Sequence, residues 1–428
     1  HTSISEEFPT LAERLNKDGY HSHFLGKWHA GDRLPTQAGF TGMDVEGYGV
    51  AAEHGDYKEY LREKGLEEPE TVPLGTGWAH RLTLAGKKTG PVEASIPYYL
   101  AERTIAFLKE KSGEQQQAGG GPFFLALNFW GPHAPYLPSE PYASMYDPKH
   151  IPPWPNFLDE LKDKPPIYRR YRDAFIGENG PLRSWEECAQ WAALYYGFTT
   201  QIDDQIGRVL SSLKELGLDG NTAVLFSTDH GDLTGAHGGM HDKDGVLCQE
   251  VYHIPLAGRV PGGASGAVCK APVSNMDLSR TILELAGCGY PDDLDGKSLV
   301  PALMDESFNS ADQWPDYVVS EFFGSHFAYE ARLIIHGNYK YVFHPGSFDE
   351  LYNLKKDPWE MQNLIDSDKE KDKKMLRECR YRLIEWAKKT GDELVILCGL
   401  FHQRLEGEAA PYTPRSMDAL RKSETKLL

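Results

Sequence analysis

Thr222-Ala-Val-Leu-Phe-Ser227 runs directly into Thr228-Asp-His-Gly-Asp232, a short apolar stretch emptying into a loop of acids, an imidazole and a glycine. Upstream, Trp191, Leu194, Phe198, Ile202, Ile206, Val209, Leu213 and Leu216 recur at the spacing of one helix face, and Gly217 stands where a helix closes. A long amphipathic helix delivering the chain to an apolar strand is half of a crossover unit. Phe123 to Phe129 repeats the arrangement after a predicted helix near Tyr98 to Lys111. Tyr20 to Leu25 repeats it again after a helix carrying Phe8, Leu11, Ala12 and Leu15, for which Ser5 is the expected N-cap and Gly19 the C′ residue. Strands that are apolar without alternation are buried on both faces, the environment of a parallel sheet. The alternation therefore predicts an α/β fold, with a doubly wound, mostly parallel sheet flanked by helices.

In such sheets the loops leaving the carboxyl ends of strands carry the chemistry. Here they are Gly26 to Asp32, Trp130 to Tyr136 and Thr228 to Lys243, and each contains histidine. Asp229 and His230 emerge side by side, where they would hold a metal or cap the next helix. His230, His237 and His241 could form a three-histidine metal site, although their spacing matches no compact zinc signature. Lys27 and His29 lie two residues apart, on one side of an extended strand end, which suits gripping an anion and moving a proton. His133 is fixed between Pro132 and Pro135, a rigid placement that serves either catalysis or a turn.

The rest of the composition narrows the classes. The 428 residues carry 45 Lys and Arg against 63 Asp and Glu, a net charge of −18, so a nucleic acid would be repelled. The longest apolar runs, Phe123 to Trp130 and Leu394 to Phe401, fall short of the ~20 residues a membrane helix requires. His1 to Pro9 has no basic region followed by an apolar one, so no export signal is read there. The six cysteines never fall into C-x-x-C spacing. Oligomeric state is not legible.

Beyond Leu303 the pattern changes. Tyr317 to Phe323, Ala331 to Phe343 folding at Gly337-Asn338, and Glu350 to Leu354 predict short antiparallel strands, followed by a charged helix from about Asp368 to Lys389. The expected division is a catalytic α/β domain over residues 1–309 and a small α+β subdomain over 310–428, with a loosely held tail beyond Leu405.

Gly26-Lys-Trp-His-Ala-Gly31, Pro132-His-Ala-Pro-Tyr136, Asp203-Asp-Gln-Ile-Gly207 and Ser227-Thr-Asp-His-Gly231 occur in the order found in sulfatases, and the chain resembles that family to about Leu364. Gly235-Ala-His-Gly238, His253-Ile-Pro-Leu256, Leu351-Tyr-Asn-Leu354 and Asp357-Pro-Trp-Glu360 add to the resemblance. It implies an alkaline-phosphatase-like hydrolase of sulfuric esters, acting on a small-molecule or glycan sulfate. By the resemblance Lys27 would bind a sulfate oxygen and His29 would take a proton. His133 and Lys243 would line the leaving-group side, and Asp229 and His230 would ligate a divalent cation, calcium being expected. The family often has Asn where His230 stands. Its nucleophile is a formylglycine made from Cys or Ser in a C/S-x-P-S-R motif, and no such motif occurs in these residues. The resemblance thus implies an N-terminal part not contained here. Family members are frequently exported. Two other readings are a phosphonate or phosphodiester hydrolase of the same superfamily, and a non-catalytic protein that binds sulfated ligands. The excursion from Leu137 to Ser184 would decide the substrate, with Trp154, Tyr168, Arg169, Arg170 and Arg172 offered to a sulfated sugar.

Overall fold

The computed structural model describes residues 5, 7–44, 53–74, 83–116, 120–175, 181–243, 245–291, 294–305, 308, 314–324 and 327–397. The tail beyond Leu405 lies outside the described residues. The first helix, α1, is Leu11–Lys17, and its N-cap is Thr10 rather than Ser5. Pro9 forces Phe8 out of helical backbone, so Phe8 lies 68% exposed ahead of the helix. Thr10 and Glu13 then form a reciprocal capping box, with Glu13 Oε2 accepting from the Thr10 N–H at 2.8 Å.

A parallel sheet is built from β1 (His21–Gly26), β2 (Thr41–Gly42) and β5 (Phe123–Asn128) in the order β2-β1-β5. Two short strands, β3 (Thr71–Pro73) and β4 (Gly86–Lys88), form a separate antiparallel pair. Helices α2 (Gly55–Lys64), α3 (Ile96–Gln116), α4 (Trp185–Glu215) and α5 (Met276–Leu285) complete the layers. Successive side chains of β5 point to opposite faces. Phe123 and Leu125 meet Phe107 and Leu108 of α3 and Leu213 of α4, while Phe124 meets Leu15 of α1 and Leu283 of α5. Helices therefore cover both faces, as a doubly wound sheet requires.

The run Val224–Ser227, β6, departs from the simplest expectation. It pairs antiparallel with β7 (Leu256–Arg259) instead of joining the parallel sheet. Val224 nevertheless packs under α3 and α4 in the same cluster as Phe123 and Leu125, so β6 lies in the layer of β5. Among the described residues each of the two strands is paired along one edge, and access along the other leaves Phe123 to Leu127 half-buried where full burial was expected.

The second sheet is wholly antiparallel: β8 (Tyr317–Phe322), β9 (Ala331–His336), β10 (Tyr339–Phe343) and β11 (Glu350–Asn353), in the order β11-β10-β9-β8. Gly337, at φ 57°, makes the tight β9–β10 turn. Alternation assigns its two faces. Ile334, Tyr341 and Phe343 pack on Cys379 and Leu383 of α6 (Glu370–Thr390), whereas Leu333 and Val342 pack on Leu247, in the loop region that follows Lys243. The small sheet thus buttresses a loop of the larger layer.

Candidate active site

β1 ends at Gly26 because no side chain fits there: a Cβ would sit 1.8 Å from the Asn128 carbonyl oxygen, and φ is 106°. The close approach lets Lys27 N–H donate to Asn128 O at 2.9 Å, fixing where Lys27 leaves the sheet. Trp28 turns inward against Phe24 and Phe40, its indole donating to Arg33 O at 2.6 Å. Lys27 and His29 are left to flank it. Burial draws the Lys27 ammonium below its ordinary value, Lys243 adds to this, and the carboxylates of Asp229 and Asp242 oppose it. His29 is held below its ordinary value by desolvation and by the Lys27 and Lys243 cations. The same charges thus act on both groups.

The loop after β5 brings His133 to the other wall. Its Nδ1–H donates to Ala134 O at 2.7 Å, so Nε2 carries the lone pair and accepts from Lys243 Nζ at 2.7 Å. Lys243 also donates to Asp242 Oδ1 at 2.9 Å. Burial and the Lys243 charge keep the His133 ring below its ordinary value, hence neutral near pH 7. Asp242 holds a left-handed backbone, φ 64°, and its N–H donates to Asp232 Oδ1, which also accepts from Thr234 N–H and Oγ1.

Beyond β6, His230 stands edge-on to His133 with ring centroids 5.5 Å apart. Its Nδ1–H donates to Gly231 O at 2.7 Å, leaving Nε2 free to bind a cation, and Nε2 is 3.6 Å from Asp229 Oδ2. Two donors ~2.0–2.5 Å from one cation lie roughly 3–3.6 Å apart, so this pair fits a divalent ion as two of its ligands. The Asp229 carboxylate is 74% exposed toward the opening. Desolvation raises its pKa, but the facing His230 and Lys27 outweigh this and keep it ionised.

Lys27, His29, His133, Asp229, His230 and Lys243, drawn from three loops, thus share one cleft. Other expectations fail. His237 is fully buried with its Nδ1 on Asp159, His241 packs on Trp191, and neither meets His230, so the three histidines form no common metal site. Tyr168 is fully buried and donates to Glu350, so it offers nothing to a sugar. Of the other residues offered to a sugar, half-buried Trp154 packs on Trp185 and donates to Thr234 O, Arg169 donates to Leu161 O, exposed Arg170 lies over Phe327 and Arg172 pairs with Asp173. Asp242 was not singled out, although an acid beside Lys243 in a polar loop was the available signal.

The sulfatase family model matches residues 2–288, and the model for the C-terminal part of N-sulphoglucosamine sulphohydrolase matches residues 235–389. An arylsulfatase of Clostridium perfringens is 28% identical over 390 residues, covering 85% of this chain and 75% of its own length. The multifunctional alkaline phosphatase superfamily protein PehA of Trinickia caryophylli is 30% identical over 347 residues, 75% of this chain and 64% of that protein. A phosphonate monoester hydrolase from Silicibacter pomeroyi shares the fold, with a TM-score of 0.73 at 23% identity over 91% of this chain and 81% of that one. The chain thus spans from 64% to 75% of these two curated relatives.

Proposed function

Because the chain belongs to the sulfatase family, we propose that its cleft binds the sulfate group of an organic ester, a sulfated carbohydrate in particular, and serves the hydrolysis of that ester. The observation that carries this reading is the convergence of the Lys27 and Lys243 charges on a cleft that also presents His133, Asp229 and His230. A sulfate ester offers oxygens for cationic donors and a bridging oxygen that needs a proton as it departs. Lys27 grips a non-bridging oxygen. Lys243, an ammonium whose other donors are set by His133 and Asp242, faces the bridging oxygen and supplies its proton. His133 positions that ammonium, since its only lone pair is already accepting from Nζ. His29 takes up a proton on the attacking side, where its lowered pKa keeps it a free base.

Asp229 and His230 would hold the divalent cation, which when bound polarises the ester toward attack. A carboxylate with an imidazole suits a borderline cation as well as calcium, which prefers oxygen. The attacking oxygen comes from none of these side chains. The chain contains no C/S-x-P-S-R motif, so turnover requires that motif to be supplied.

Calorimetric titration with an aryl sulfate, which needs no turnover, tests the site. Saturable binding is expected, weakened ~10-fold or more in Lys27→Met, since hydrogen bonds to charged groups contribute about 1.5–3 kcal/mol. Binding unchanged in that variant would remove the basis of the reading. Hydrolysis of a phosphonate monoester is the second reading, because cations around a tetrahedral oxyanion discriminate little between sulfur and phosphorus and one fold hosts many activities.

A further inference from the structure

Away from the cleft, where the small sheet meets the loop after Lys243, His237, Cys248 and Glu360 converge. One ligand-type atom from each lies within 4.8 Å of the others, and all three residues are buried. His237 Nδ1 is committed to Asp159 Oδ2 at 2.9 Å, and Nε2 faces Glu250 Oε2 at 3.5 Å and the Asn156 amide at 3.2 Å. Glu360 is 0% exposed, yet neither of its carboxylate oxygens has a hydrogen bond, and Glu250 Oε2 has none either. Lys340 Nζ donates to Leu247 O and lies 2.7 Å from Glu360 Oε2 as an ion pair, so Glu360 Oε1 and Glu250 Oε2 are the buried carboxylate oxygens here with neither a hydrogen bond nor a lysine beside them. Buried polar atoms of this kind are costly unless something else satisfies them.

We infer that His237, Cys248 and Glu360 supply three protein ligands to a zinc-class ion that fastens the second sheet to the loop region behind the cleft. A thiolate, an imidazole and carboxylates are donors that zinc accepts and that calcium and magnesium do not choose. Ligands ~2.0–2.3 Å from a tetrahedral ion stand roughly 3.3–3.7 Å apart, so rotamer adjustments of about an ångström close the site. Asp159 on Nδ1 is the carboxylate partner a metal-bound histidine commonly has, and it leaves Nε2 as the ligand. A zinc-class ion takes an imidazole through its lone pair and a cysteine as thiolate, so uptake of the ion would release protons. Glu360 and His237 both hold left-handed backbone, φ 54° and 49°, uncommon for residues with a Cβ.

The site would act on the cleft through the backbone. Gly231 N–H donates to Val251 O at 2.7 Å, and a Cβ on Gly231 would lie 1.9 Å from Glu250 O, so the Asp229–His230 loop rests on the segment carrying Cys248 and Glu250. This inference is independent of the hydrolase reading.

Cobalt(II) tests it on the 428-residue chain, prepared metal-free and shown folded by circular dichroism. One equivalent is expected to give a thiolate-to-cobalt charge-transfer band with intense tetrahedral visible absorption, displaced by zinc, absent in Cys248→Ser and retained in Asp229→Asn. X-ray absorption of the zinc-loaded wild-type chain, which needs no variant, should find one sulfur at ~2.3 Å with nitrogen and oxygen neighbours. A folded chain without the band, a band that survives Cys248→Ser, or a zinc shell without sulfur would each overturn the proposal.

Discussion

Lys243 Nζ and His133 Nε2 lie 2.7 Å apart although 110 residues separate them in the chain. Because His133 has already given its Nδ1 proton to Ala134 O, the hydrogen bond has one direction: the ammonium donates and the ring accepts. The hydrogen shared across this contact therefore belongs to the lysine.

That direction distinguishes two substitutions. In a form competent for turnover, Lys243→Met should lower kcat/KM toward aryl sulfates by roughly 100-fold or more, the scale of general acid catalysis, with poor leaving groups losing most. His133→Ala should lose less, because Asp242 still holds the ammonium. A series of aryl sulfates of graded leaving-group pKa measures this. A leaving-group dependence unchanged in Lys243→Met would assign the acid elsewhere.

Asp229 and His230 predict a graded loss of metal. Asp229→Ala should reduce retained divalent cation by roughly tenfold or more, while His230→Asn keeps a donor at that position and should be milder. Elemental analysis after gel filtration reads the outcome. Equal retention in both variants would place the cation outside this loop.

His23 predicts how stability responds to acid. Burial, chiefly, with nearby His21 and Lys111, lowers its pKa from 6.5 to about 4, and the ring stacks on Phe107 with centroids 4.4 Å apart. Above pH 6.5 neither the folded nor the unfolded chain protonates it and stability is full. Between there and about pH 4 the unfolded chain takes a proton that the folded one refuses, so stability falls as pH falls through this window. Tm recorded from pH 7 to 4 should decline, and less steeply in His23→Phe, which keeps the stack without the titration. Parallel curves would show that His23 contributes nothing.

Periodicity carried the large features. The apolar stripe from Trp191 to Leu216 is α4, and the break at Gly337 is the β9–β10 turn, because each pattern reports one buried face of a local element. The start of α1 was less legible. Ser5 and Thr10 are both good caps, and the backbone restriction that Pro9 imposes on Phe8 decides between them. The pairing of β6 was not legible, since an apolar run carries no mark of the direction of its partner, and β7 contributes only Leu256–Arg259. Side-chain fate in the excursion was equally hidden: Tyr168 suits a sugar platform or a core, and only the approach of Glu350 from a distant segment makes it core. Lys27, His29, His133, Asp229 and His230 were legible because each follows closely on the end of a strand, whereas Lys243, far along the loop after β6, was named through the family resemblance. The buried group around His237 was not legible, because Glu360 reaches it from beyond β11.

The central claim is that the cleft serves sulfuric esters, and side-by-side turnover tests it most directly. The 428 residues, joined to a segment bearing a C/S-x-P-S-R motif matured to formylglycine, would be assayed with an aryl sulfate and the matching aryl phosphonate monoester. A kcat/KM that favours the sulfate and collapses in Lys27→Met is the predicted result. A clear preference for the phosphonate, or sulfate turnover indifferent to Lys27, would contradict it.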